Sequence, residues 1–71
     1  MEKIENRDSQ GRLIDWVMPE VDDDRYYYRV VINREQVYYA SHEEEAYMVL
    51  WELMQAREDW NLEEKIKELN N

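Results

Sequence analysis

From Arg25 to Ile32 the chain reads Arg-Tyr-Tyr-Tyr-Arg-Val-Val-Ile, and Val37-Tyr38-Tyr39-Ala40 follows after four polar residues. The pattern predicts two antiparallel strands joined by a turn over 33–36. Pairing Ile32 with Val37 sets Tyr26, Tyr28, Val30, Ile32 and Tyr39 on one face. Tyr27, Arg29, Val31, Tyr38 and Ala40 then share the other. An apolar or aromatic face backed by one that mixes Tyr with Arg is what a half-buried antiparallel sheet requires. Residues 12–18, Arg-Leu-Ile-Asp-Trp-Val-Met, predict a third strand. Pro19 stops it, and residues 19–24 follow as an acidic loop. The first eleven residues are polar and close on Asp8-Ser9-Gln10-Gly11, a turn signal. Lys3 to Arg7 are available to pair with the third strand as a hairpin.

The period changes after Ala40. Ser41, with Glu44 three residues on, forms a capping box that opens a helix. Glu43, Glu44 and Glu45 fall in its first turn, at the positive end of the helix dipole. At 100° per residue Ala46, Val49, Leu50, Leu53, Ala56 and Trp60 share the face that covers the sheet, flanked by Tyr47 and Met54. Met48 and Trp51 fall on the opposite side and need a partner surface. Asn61 with Glu64 makes a second capping pair, which predicts a short helix over 62–69 that covers Trp51 internally. The rival reading is one helix over 42–69, with Met48, Trp51, Gln55, Leu62, Ile66 and Leu69 on an outward seam that forms a helical dimer. The resulting fold class is α+β: an antiparallel sheet of about three strands packed against a C-terminal helix plus a short extra helix.

Seventy-one residues fit a single domain, 1–71. A chain of this size buries only about 60% of its unfolded surface. Three Trp, six Tyr and a full set of aliphatic residues supply a core, which disordered acidic tails lack. No Cys is present, which excludes a disulfide, a thiol nucleophile and a Cys-based zinc site. No apolar run approaches the roughly 20 residues that span a bilayer. The opening Met1-Glu2-Lys3-Ile4-Glu5 lacks the apolar segment of a secretory signal. The expectation is a cytoplasmic protein whose acidity disfavours anionic membranes.

Charge adds the functional direction. Eighteen acids stand against nine bases, a net charge of −9. The imbalance is local. Residues 15–24 hold Asp15, Glu20, Asp22, Asp23 and Asp24 with no base, and residues 41–71 set nine acids against Arg57, Lys65 and Lys67. Residues 25–40 lean positive through Arg25, Arg29 and Arg34. Such a surface repels nucleic acid and attracts the proteins that bind it.

The motifs of catalysis are missing. His42 is the lone histidine, read as an exposed residue in the first turn of a helix with no nucleophile to activate. Asp22-Asp23-Asp24 lack the alternate spacing, the turn Gly and the closing Glu of a calcium loop. Gly11 stands outside any phosphate-loop context. No enzyme activity, cofactor or metal is expected. Tyr27, Arg29 and Tyr38 become neighbours on the outer sheet face, a stacking platform in a basic protein. At this charge they read better as protein-contact residues.

Carboxylates on a helix at i, i+3, i+4 and i+7 form a rigid row. Glu45, Glu52 and Asp59 recur at seven-residue intervals, with Glu44 and Glu58 nearby. Such a row can occupy a groove built for phosphates, since duplex DNA carries a charge about every 1.7 Å of axis. In length, charge and layout the chain resembles the small phage-encoded inhibitors that imitate DNA, among them many anti-CRISPR proteins. The resemblance implies a nuclease or other DNA-binding complex as partner, with Asp22 to Asp24 and the helical acids as contacts. In its strands followed by a helix the chain is also similar to the arm-binding domains of tyrosine recombinases, which grip DNA with the sheet. Arg12, Arg25 and Arg29 are the residues available for that role.

The expectation is a non-enzymatic inhibitor that blocks DNA access without touching nucleic acid. Its acidic contacts are Asp22, Asp23, Asp24, Glu44, Glu45, Glu52, Glu58 and Asp59, and its anchors are Tyr27, Tyr38, Met48 and Trp51. The alternatives are a protein-interaction or homodimerisation module built on Met48 and Trp51, and a sheet-based DNA binder.

Overall fold

Two tight turns set the sheet. The central residues of both, Asp23–Asp24 (φ 47° and 67°) and Asn33–Arg34 (φ 52° and 65°), occupy the left-handed region. That is the signature of two-residue type I′ hairpins, whose twist matches that of the strands they join. The structure, a computed structural model, describes residues 3–71. Met1 and Glu2, which open the polar N-terminal stretch, lie outside the described residues. Strands β1 (Asn6–Arg7), β2 (Leu13–Asp22), β3 (Arg25–Ile32) and β4 (Glu35–Ala40) form an antiparallel sheet in the order β1-β2-β3-β4. Helices α1 (Glu43–Glu58) and α2 (Leu62–Leu69) follow. The class is α+β, with four strands in place of about three. The added strand is the two-residue β1, which pairs with Leu13 and Asp15.

The core lies between one sheet face and α1. Val17, Val30, Ile32 and Ala40 meet Ala46, Val49, Leu50 and Leu53 of the helix. Val30, Leu50 and Leu53 are wholly buried, and burial of such a side chain stabilises by about 1.5–3 kcal/mol. Leu62, Ile66 and Leu69 of α2 pack on the same cluster from the side. The Nδ2 of Asn70 donates to the Val37 carbonyl (2.8 Å) and ties the end of α2 to β4.

Several expectations are corrected. Pro19 does not stop its strand: β2 runs through it to Asp22, paired with Tyr28 of β3. β1 reaches only to Asp15, so Pro19 lies on an open sheet edge, where a missing N–H is tolerated. The acidic loop thus shrinks to a hairpin tip. The second turn takes two residues where four were expected, so Ile32 pairs with Glu35. A bulge at Val37 then sets Val30 opposite Tyr38 and Arg29 opposite Tyr39. Tyr38 therefore faces the core and Tyr39 the outside, the reverse of the predicted register.

The helical region is two helices. Asn61 N–H donates to the Ala56 carbonyl (3.0 Å) and Trp60 N–H to that of Arg57 (3.2 Å). With Trp60 at φ 61°, this is a Schellman closure. It turns Trp60, expected on the buried face, into a residue 95% exposed. The cap of α1 is His42, not Ser41, and no side chain bonds there. α2 packs beside α1 and β4 and leaves Trp51 exposed, whereas the two-helix reading expected it to be covered.

Candidate partner-binding surface

Most bases are held by acids. Arg57 grips Asp15 with Nη1 on Oδ1 (2.8 Å) and Nη2 on Oδ2 (2.7 Å). Arg34 reaches Asp8 at 2.7 Å and Arg12 reaches it at 3.3 Å. Arg7 pairs with Glu5 at 3.1 Å. Lys65 lies between Glu52 (3.7 Å) and Glu68 (3.8 Å). Each nitrogen of the Arg29 guanidinium is engaged: Nε and Nη2 donate to the Glu20 carboxylate and Nη1 to Gln36 Oε1. Its plane also lies over the Tyr39 ring, 5.1 Å from the centroid. Among the described residues Lys3, Arg25 and Lys67 have no acidic partner, whereas Asp22, Asp23, Asp24, Glu35, Glu43, Glu44, Glu45, Glu58, Asp59, Glu63 and Glu64 have no basic one.

The unpaired acids gather at distinct places. The β3–β4 ladder ends at Tyr28–Ala40, while β2 and β3 continue to Asp22–Arg25. The hairpin therefore extends as a two-stranded ribbon with Asp22, Asp23 and Asp24 exposed at its tip. Its cross-strand pair Val21 and Tyr26 is 61% and 62% exposed. A second group, Glu58, Glu63 and Glu64, lines with Trp60 a hollow of about 740 Å³ at the α1–α2 corner. The predicted row Glu45–Glu52–Asp59 is interrupted. Glu45 accepts a hydrogen bond from the Tyr38 hydroxyl (2.8 Å), Glu52 is paired with Lys65, and Asp59 lies beyond the last helical residue. The hydrogen bond to Glu45 also raises the Tyr38 pKa, with burial adding to it.

Met48 and Trp51 point outward, each 55% exposed. Trp51 is a ridge between two hollows. One, of about 320 Å³, is lined by Ile4, Tyr47, Met48 and Glu52. The other, of about 300 Å³, includes Gln55, Ala56, Asp59 and Lys65. At helical spacing Glu44, Met48, Trp51, Gln55 and Glu58 share this stripe, and all five are exposed. It unites two predicted anchors with two predicted acidic contacts. Tyr27 lies on the outer sheet face, half-buried, and lines a hollow of about 290 Å³ with Glu20, Asp22, Arg29 and Tyr39. Tyr38 belongs to the core side, and Tyr39 takes the place next to Arg29 that was expected for it.

Sequence reading missed Asp15, which it counted with the acidic segment. Asp15 is wholly buried. Besides Arg57 it accepts from Asn6 Nδ2 (2.8 Å) and from the Asn33 N–H (3.0 Å). The available signal was an acid placed between Ile14 and Trp16 within an apolar run. Among the described residues no group of His, Cys, Asp and Glu is arranged to hold a metal ion, and no helix is long and apolar enough to cross a membrane. The chain matches no protein-family model, no curated protein and no solved structure.

Proposed function

We propose that the chain is a non-enzymatic binding protein that occupies a basic, DNA-binding surface of a larger protein, such as a nuclease complex, and blocks DNA access. The observation that carries this reading is the division of charge. Six of the bases are consumed in ion pairs with acids, and the excess carboxylates remain unpaired on a tight hairpin tip and at helix ends. Carboxylates held on rigid elements lose little freedom on binding. They also steer association with a basic partner in a salt-dependent way. The likeness to phage-encoded DNA mimics belongs to this reading.

A sheet-based grip on DNA fits less well, because Arg29 is held against Glu20 and Gln36 and Arg12 is paired with Asp8, which leaves Arg25 alone of the three without an acidic partner among the described residues. An interaction module built on α1 is the second reading, favoured by the exposure of Met48 and Trp51.

The test is affinity capture from a bacterial lysate with a salt-gradient wash, read by mass spectrometry. The expected partner is a DNA-binding complex that salt releases and its own DNA displaces. Asp22→Asn, Asp23→Asn and Asp24→Asn together should weaken capture at low salt without altering the fold. A partner indifferent to both salt and DNA would retire the mimic reading.

A further inference from the structure

We propose that the outward stripe of α1 docks an amphipathic helix of the partner, apolar on one side and flanked by Lys or Arg. The inference rests on the reading above that the partner is basic, and it places the anchor on α1 instead of the hairpin tip. Met48 and Trp51, each 55% exposed, are one helical step apart and form an apolar centre. Glu44 and Glu58, exposed and without basic partners, stand at its two ends. The hollows of about 320 and 300 Å³ flank the Trp51 ridge, and ridges and grooves are the relief that the side chains of a facing helix pack into. An apolar centre bearing Trp, rimmed by charge, is also the usual anatomy of a binding hot spot.

Charge complementarity selects the occupant. A second copy would bring another net charge of −9. A two-fold pairing of the stripe with itself sets Glu44 of one chain near Glu58 of the other, and apposed like charges oppose association. A helix flanked by Lys and Arg meets the same acids favourably.

The experiment titrates the isotope-labelled full chain with two synthetic helical peptides of equal positive charge, one with a leucine stripe and one with that stripe replaced by glutamine, and follows backbone and indole N–H signals by NMR. The striped peptide is expected to bind about tenfold tighter. It should move the Trp51 indole and the amides of Glu44, Met48, Gln55 and Glu58. Met48→Ala with Trp51→Ala should erase the preference while the remaining spectrum stays dispersed. Equal binding of both peptides, shifts confined to Asp22–Asp24, or no binding would overturn the proposal. So would a dimer in sedimentation equilibrium that persists in high salt and is lost in Trp51→Glu. If the lysate yields a DNA-displaceable partner that the Asp22–Asp24 variant loses and the Met48/Trp51 variant retains, DNA blocking stands and the α1 docking face falls.

Discussion

Arg57, in the last turn of α1, holds the wholly buried Asp15 of β2 through two parallel hydrogen bonds of 2.8 and 2.7 Å. The same carboxylate accepts from Asn6 of β1 and from the N–H of Asn33 in the β3–β4 turn, while Arg57 Nη1 also donates to Asn33 Oδ1 (2.8 Å). One acid therefore joins the first strand, the second hairpin and the long helix. Among the described residues no buried side-chain polar atom lacks a partner, the condition under which a buried network fixes one arrangement of its elements.

Asp15→Ala should damage the fold about as much as truncating a core leucine. It strands the Arg57 guanidinium and the Asn33 N–H, and loss of one member of a buried pair costs about 3–5 kcal/mol. The Arg57 side chain is 29% exposed, so solvent screens part of its charge and a loss near the lower end, about 3 kcal/mol, is expected. A domain of this length holds roughly 4–10 kcal/mol in all. Urea unfolding should give a much lower midpoint, and a midpoint unchanged from the parent would show that the pair contributes nothing.

Acid should act on the same residue. Burial pushes the Asp15 carboxyl up, but the hydrogen bonds from Arg57, the Asn33 N–H and Asn6 outweigh it, and its pKa falls below the ordinary value. Asp8 is lowered too, chiefly by the Arg12 N–H and also by the Gln10 N–H and Arg34. In an unfolded chain an Asp titrates near pH 3.9. The unfolded state thus takes up protons first, so this stabilisation is complete above about pH 5 and is lost as pH falls through the depressed folded values. Thermal midpoints measured from pH 6 to pH 2 should drop on the acid side, with a shallower drop in Asp15→Asn. Equal slopes for parent and variant would remove Asp15 as the cause.

The alternation of apolar positions made the sheet and α1 legible, and the sheet-facing set Ala46, Val49, Leu50, Leu53 and Ala56 of α1 is buried as the 3.6-residue period requires. The turns were not legible. Asp23, Asp24, Asn33 and Arg34 all adopt positive φ without a glycine, and the usual Asn-Gly or Asp-Gly marker of a type I′ hairpin is absent. That gap moved the start of β4 by two residues, which keeps its faces, and the bulge at Val37 added the odd residue that exchanged Tyr38 with Tyr39. Trp60 was misplaced for a related reason: a left-handed closure by a bulky residue leaves no signal in a hydrophobic period. Of the surface, Met48 and Trp51 stood out because they broke the period of α1. The engaged acids Glu45, which accepts from the Tyr38 hydroxyl, and Glu52, which is paired with Lys65, could not be told from free ones, since both partners come from other elements.

Asp24→Gly should stabilise the fold. Asp24 sits at φ 67°, where an L-residue pays roughly 1–2 kcal/mol that glycine avoids. The greater freedom of glycine in the unfolded chain offsets part of this, which leaves a gain of about 1 kcal/mol. The change also removes one of three adjacent carboxylates at the tip. A higher urea midpoint with an unchanged denaturant slope is the expected result, and a lower midpoint would mean that the Asp24 side chain supports the turn in a way its exposure does not suggest.

Trp60→Gly separates folding from binding at the α1–α2 corner. Trp60 closes α1 at φ 61° and is 95% exposed, so the fold gains almost nothing from its indole and carries the strain of its backbone. Glycine is the residue suited to this helix-closing position, and the substitution should raise stability by about 1 kcal/mol. The indole lies with Glu58, Glu63 and Glu64 around the hollow of about 740 Å³, an arrangement that favours a cationic side chain over the ring. A variant more stable than the parent yet weaker toward a basic partner would assign the indole to recognition. A variant that loses stability would instead show that the corner depends on contacts of the Trp60 ring. Thermal unfolding and partner capture with the same preparation distinguish the two outcomes.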